Sequence, residues 1–168
     1  EKRLNHYYND LKWLYCELFR DHPEVSFCVC NFVERSGADG TAKLRKRFSW
    51  LKYKNLPFDR VCEENPTFLL IRENFISTAS NVIVRKSVTD KVGLLNPAYI
   101  NAQEFDFWLR CSYHAKFFII SEVLLFKKRT GKNWGAASLR SFNCTRTIID
   151  ETIKLNFQRS EERRVGKE

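Results

Sequence analysis

Glu104 and Asp106, in Gln103-Glu-Phe-Asp-Phe-Trp-Leu-Arg110, are the residues best suited by type and spacing to do chemistry. They fall in the first turn of a segment that reads as a helix. A carboxylate held there by backbone geometry and facing a cleft can act as a general base, taking the proton from a hydroxyl as it attacks, worth about 10² to 10⁴ in rate. The plainer use of two acids at that place is to complement the positive end of the helix dipole. Phe105, Trp108 and Leu109 form the apolar stripe of the helix, so Trp108 reads as core rather than as a platform for a substrate ring.

The elements that must position this turn lie upstream. Asn74-Phe-Ile-Ser-Thr-Ala-Ser80 leads into a strand over Asn81 to Arg85. Ser77, Thr78 and Ser80 carry short hydroxyls that let backbone and substrate approach while offering hydrogen bonds; they are equally ordinary turn residues ahead of a strand. From Lys86 or Ser87 a helix of about two turns follows, with Val88 and Val92 as an i, i+4 apolar pair and Gly93 as a left-handed cap. Leu4, Tyr8, Leu11, Leu14, Tyr15 and Leu18 predict a helix over Asn5 to Phe19, ending near Pro23. Val25 to Val33 reads as a strand, Ser36 to Gly40 as a turn, and Asn65 to Glu73 as a short helix. Phe117 to Ile120 and Val123 to Phe126 read as two short buried strands, and Ala136 to Phe157 as a terminal helix. Leu139, Phe142, Ile148, Ile149, Ile153 and Leu155 supply its apolar positions.

The succession of a Ser/Thr run, Ile83-Val-Arg-Lys86, Val92-Gly93 and then Glu-x-Asp-x-Trp-x-Arg resembles the acceptor-side half of family 2 glycosyltransferases with the GT-A fold. The usual pattern there is a small hydroxyl run, hydrophobic-Val-Arg-Arg/Lys, Val-Gly, and Glu-Asp-x-Asp-x-Trp-x-Arg. The resemblance covers about Glu1 to Ser141 and is strongest from Phe75 to Arg110. It implies an α/β GT-A-type (Rossmann-like) domain that moves a sugar, with inversion, from a nucleotide-sugar donor to a saccharide or lipid-linked acceptor, as in polysaccharide biosynthesis. Aligning Trp108 and Arg110 sets Glu104 on the catalytic Asp, Gln103 on the Glu before it and Asp106 on the second Asp. Glu104 is then the expected base, with Asp106 as the alternative. Two positions depart from the pattern: Glu104 reaches one methylene further than Asp, and Gln103 lacks a charge that positions the acceptor or holds the base.

The resemblance also implies that Ser77, Thr78 and Ser80 lie near donor sugar and acceptor, and that Arg129 and Lys132 face the donor diphosphate, where cations suit the charge of a departing group. Arg129 stands where the family often has His, so no histidine metal ligand is expected. Mg²⁺ or Mn²⁺ is expected through an Asp-x-Asp motif that this sequence does not contain. Glu1-Lys-Arg-Leu4 is similar to the phrase that follows that motif, so the motif is expected just upstream of Glu1. On that reading residues 1 to 158 are an inactive part of a GT-A domain. Arg159 to Glu168 resembles a translated sequencing adapter and is set aside as a non-native tail.

Composition bounds the alternatives. Of 168 residues, 43% are hydrophobic and 14% aromatic, which excludes a disordered chain. No apolar run approaches the roughly 18 to 20 residues of a spanning helix. Six cysteines without a Cys-x-x-Cys pair read as reduced, buried thiols rather than metal ligands or disulfides, Cys28 and Cys30 on one face of their strand. His6, His22 and His114 have no ligand-like spacing. The formal charge of +9 is concentrated in part over Thr41 to Lys54, where Phe48, Trp50 and Tyr53 interleave the cations. Nucleic acid would suit such a pattern; a solvated loop, or one resting on an anionic bilayer, suits it better. The resemblance implies a cytoplasmic setting, peripheral at the inner face of the membrane where lipid-linked acceptors lie, with no nucleic acid bound. Two other classes stay open: a non-catalytic basic module for nucleic acid or anionic membrane, and a glycosyltransferase-like domain that has lost its chemistry.

Overall fold

One strand, β1 (Val25–Ser36), pairs with every other strand of the sheet. Its apolar run alternates between two cores: Phe27 and Val29 on one face, Cys28 and Cys30 on the other. A strand buried on both faces reads as a continuous apolar run for that reason. The computed structural model describes residues 15–36, 43–46, 56–76, 78–129 and 139–165. Within them the protein is mixed α/β, built on a small mixed sheet.

Along one edge of β1 runs β4 (Lys116–Arg129), parallel to it. On the opposite edge two short antiparallel strands follow one another. β3 (Val82–Val84) pairs with Phe27 to Val29, and β2 (Lys43–Lys46) pairs with Val33 to Ser36. Both stretches of β1 also pair with β4, so among the described residues the sheet is three strands wide at either level. The basic segment expected as a loop thus contains a strand over its described residues, because β1 offers that edge's backbone groups for pairing.

The two short strands expected over Phe117 to Phe126 are one strand interrupted by an irregular register. Cys30 pairs with Ile120, but Asn31 pairs with Val123 and Phe32 with Leu125. Extra residues on one strand of a pair leave polar groups to be satisfied. Asn31 donates from Nδ2 to the Ser121 carbonyl at 3.0 Å, and Asp59 accepts from the Ser121 N–H at 2.9 Å and from its hydroxyl at 2.5 Å. Asp59 adopts φ 53° to do so. The surrounding loop also lies along β4, with Asp59 and Cys62 donating to the Ile119 and Phe117 carbonyls at 2.7 and 2.8 Å.

Helices cover both faces. Helix α1, described over residues 15–21, brings Tyr15 onto Val25, Cys28, Cys30, Phe118 and Ile120. The other face receives α2 (Pro66–Arg72), α3 (Lys86–Val92), α4 (Gln103–Ser112) and α5 (Leu139–Val165). Asn65 caps α2, its side chain accepting from the Thr67 N–H at 3.0 Å. Phe27 stacks on Phe117 with ring centroids 4.0 Å apart and meets the edge of Trp108 at 5.5 Å. Such pairs add about 0.5 to 1.5 kcal/mol to the burial itself. The Thr67 and Ser112 hydroxyls, 2.6 Å apart and buried, tie α2 to α4.

Helix α5, described from Leu139, runs further than the expected end at Phe157, and its apolar residues are used differently. Ile148 is buried, whereas Phe142, Ile153 and Leu155 are exposed. The helix continues through Arg159 to Val165, and Arg159 stacks over the Tyr113 ring at 4.6 Å. Among the described residues no helix is long and apolar enough to cross a membrane.

Candidate functional site

Two arginines set the position of the α3–α4 corner. Arg85, between β3 and α3, donates from Nε to the Val25 carbonyl at 2.7 Å and from Nη2 to the Phe19 carbonyl at 2.6 Å. Its guanidinium lies 4.5 Å over the Phe19 ring. Phe19 is in the last turn of α1, where carbonyls have no partner within the helix, and a cation there also meets the negative end of the dipole. Arg85 therefore joins three elements: the end of α1, the start of β1 and the start of α3.

Arg110 does the same at the other end of α3. It donates from Nε to Asp106 Oδ2 at 2.9 Å, and Nη2 lies 2.8 Å from the same oxygen. Its remaining donors reach the Val92 carbonyl and, at 2.9 Å, the Leu94 carbonyl. Between those carbonyls sits Gly93 with φ 76° and ψ −163°. This is positive φ, as expected for a cap, but it is not the left-handed helical conformation. It is an extended region essentially reserved for glycine, and it sends the chain outward at Leu94.

Below this turn an open cavity of about 570 Å³ lies between α3 and α4. Thr89, Asp90 and Gly93 line one side, and Glu104, Phe107 and Trp108 the other, with Leu94, Leu95 and Ala79 at its margins. Glu104 is exposed. Asp90 is engaged by Lys86, whose Nζ donates to its two oxygens at 2.7 and 2.8 Å. Trp108 is core, as expected, being 6% exposed against Phe27, yet its remaining surface contributes to the cavity.

The expected site residues are distributed as follows. Glu104 lines the cavity; Asp106, 9% exposed, is turned to Arg110 and is not among the lining residues. Gln103 is half-buried at the start of α4 and does not line it either. Thr78 accepts from the Ser80 N–H at 3.4 Å and opens a short 3₁₀ turn over Ala79–Asn81, so both hydroxyl residues shape the turn from which Ala79 reaches the cavity. Ser77 and Lys132 lie outside the described residues. The backbone of Arg129 pairs with Ser36, roughly 20 Å further along β1 than Cys30 at the 3.3 Å rise of a strand.

Several residues that position or line the site went unread in the sequence. Asn81 is fully buried and donates from Nδ2 to the Cys30 carbonyl at 2.7 Å, fixing the 3₁₀ turn to β1. Asp90, Leu94 and Leu95 had no signal beyond their place around Gly93. The Asp106–Arg110 pair did have one, because residues four apart on a helix are neighbours.

The four buried thiols are not part of the site. Burial pushes the Cys28 thiol well above its ordinary range and Cys111 up to about 12, so both remain protonated and unreactive. Among the described residues no group of three His, Cys, Asp or Glu side chains converges. No protein-family model matches the chain, and comparison with curated proteins and with solved structures returns no match.

Proposed function

We propose that the chain is the acceptor-side part of an inverting nucleotide-sugar glycosyltransferase of the family 2, GT-A kind, with Glu104 as the general base. The observation that carries this reading is the different fate of two acids in one helical turn. Glu104 is free to meet a ligand in the cavity, while Asp106 is held by Arg110. In the reaction the acceptor hydroxyl oxygen forms the new bond to the anomeric carbon from the face opposite the nucleotide. Its proton passes to the Glu104 carboxylate, and the bond to the diphosphate breaks with its electron pair leaving on the diphosphate. The resemblance assigns Arg129 and Lys132 to that leaving charge, although the Arg129 backbone lies far along β1 from the turn that carries Ala79. The Mg²⁺ or Mn²⁺ implied by the resemblance would be held by an Asp-x-Asp motif, which this sequence does not contain, and no step of the present site runs through it. A saccharide or lipid-linked acceptor, and a peripheral position at the cytoplasmic face of a membrane, complete the proposal.

The test is Glu104→Gln in the longer protein that the resemblance implies, assayed for nucleotide-sugar turnover. A loss of about 10² to 10⁴ is expected, with the fold unchanged because Glu104 is exposed. Unchanged turnover would rule out Glu104 as the base. No turnover by the unmutated longer protein would favour a domain that keeps the fold without the chemistry.

A second reading, a non-catalytic basic module, rests on the sheet register. Pairing with β1 sets Lys43, Arg45 and Lys46 of β2 at the same end of the sheet as Lys127, Lys128 and Arg129 of β4. Binding to heparin or to anionic vesicles that falls steeply with salt, without nucleotide-sugar turnover, would favour it.

A further inference from the structure

Helix α5 carries an apolar seam that faces solvent. Phe142 is 65% exposed, Ile153 38% and Phe157 68%, and Ile149 is half-buried. At 3.6 residues per turn these four lie within about 80° of one another, in a line about 22 Å long. The helix is held to its own chain by another side, where Ile148 and Thr152 are buried and Asn156 donates to the Tyr113 hydroxyl at 3.0 Å. The seam is turned about 100° from that side, so a second helix can lie along α5 without displacing it.

The charges bordering the seam decide which helix fits. Arg146 and Asp150, both exposed, stand one turn apart on the same flank. A second copy of α5 laid parallel in register would set Arg146 against Arg146 and Asp150 against Asp150, and like charges so placed repel. Laid antiparallel, with a two-fold axis level with Ile148, Arg146 of each copy is level with Asp150 of the other. The same register suits the apolar residues. The two Ile149 side chains meet beside the axis, and Phe142 of one copy falls between Ile153 and Phe157 of the other, as a knob opposite a hole. One offset serves both the charges and the rings.

We propose that the seam of Phe142, Ile149, Ile153 and Phe157 is an isologous interface with a second copy of this chain, formed by antiparallel α5 helices with Arg146 paired to Asp150 across the two-fold axis. All of these residues precede Arg159, so the adapter-like tail is not needed for it. A seam of this length belongs at the small end of specific interfaces, which makes the dimer weak and dependent on concentration. The inference does not rest on the transferase reading, and Glu104 takes no part in it.

The experiment is sedimentation velocity on the 168-residue chain between about 1 μM and 1 mM. A monomer–dimer equilibrium with its midpoint on the order of 100 μM is expected. Phe142→Ser should raise the midpoint by about tenfold or more, with far-UV circular dichroism unchanged because Phe142 is exposed. Arg146→Asp, which sets acid against acid, should raise it by about the same factor. Combining Arg146→Asp with Asp150→Arg should bring it back to within about threefold of the original, because the exchange rebuilds both ion pairs. A dimer indifferent to Phe142→Ser, or a double exchange that fails to restore association, overturns the proposal. A chain that stays monomeric overturns it as well, and if Phe142→Ser then removes binding to phosphatidylcholine vesicles, a bilayer is the occupant of the seam instead.

Discussion

Arg110 and Asp106 form an i, i+4 ion pair on α4, with Nε 2.9 Å from Oδ2, and the same guanidinium holds the end of α3 through the carbonyls of Val92 and Leu94. The pair therefore fixes the angle between the two helices that enclose the cavity. Its stabilising value comes from partial burial, the side chains being 30% and 12% exposed. Asp106→Asn should lower stability by about 1 to 3 kcal/mol, as for a hydrogen bond to a charged group, read as a lower urea midpoint at constant m. Glu104→Gln, two residues away and exposed, should stay within about 0.5 kcal/mol of the unsubstituted chain. A comparable cost for both would contradict the division of roles between the two acids.

Arg85 should behave as a joint rather than as a surface charge. Arg85→Leu keeps much of the apolar stem but leaves the Phe19 and Val25 carbonyls without their donors. A loss of about 1 to 3 kcal/mol is expected, with hydrogen exchange accelerated first in α1. Arg85→Lys should recover only part of it, since an ammonium has no planar fork to span two carbonyls.

Gly93 offers a test of backbone strain without crowding. A Cβ built there would meet nothing within 4 Å, yet φ 76° with ψ −163° is costly for any other residue. Gly93→Ala should destabilise by about 1 to 3 kcal/mol and, by shifting Leu94, weaken any ligand of the cavity. A neutral result in both measurements would mean that the turn adopts another conformation.

Thiol labelling should follow burial. All six cysteines are free, with Cys16 exposed, Cys144 half-buried and Cys28, Cys30, Cys62 and Cys111 buried. Alkylation followed by mass spectrometry at pH 8 should modify Cys16 first and Cys144 next. The four buried thiols should react only at the rate of unfolding, because burial raises their pKa and blocks the reagent. Rapid labelling of Cys28 or Cys30 would contradict the packing of α1 on the sheet.

Tyr99 links the α3–α4 loop to α5 by donating to Glu151 at 2.6 Å, and this bond, with smaller help from burial, pushes its pKa up to about 12. The folded protein then keeps a proton that the unfolded chain releases near pH 10. The contribution is fully present below about pH 10 and is lost as pH rises towards 12. Tyr99→Phe should therefore lower stability at neutral pH and flatten its decline between pH 10 and 12. An unchanged slope in that window would show that the bond does not persist in solution.

Local chemistry determined much of this protein in advance. The 3.6-residue spacing, Asn65 as a cap, Gly93 as a stop and the continuous apolar run of β1 are properties of neighbouring residues, and α2, α3, α4 and the core of β1 follow from them. The separation of Glu104 from Asp106 was legible too, since residues two apart on a helix do not share a face, whereas Asp106 and Arg110 do. What the sequence could not decide is which distant backbones meet. Parallel pairing of β1 with β4, the tandem of β3 and β2 on the other edge, and the carbonyls of Phe19, Val25, Val92 and Leu94 as partners of Arg85 and Arg110 all join atoms with no local signature. Every backbone carbonyl is chemically alike, so only the packing of the helices on the sheet selects which of them an arginine reaches, and with that selection the cavity beside Glu104 acquires its shape and its charge.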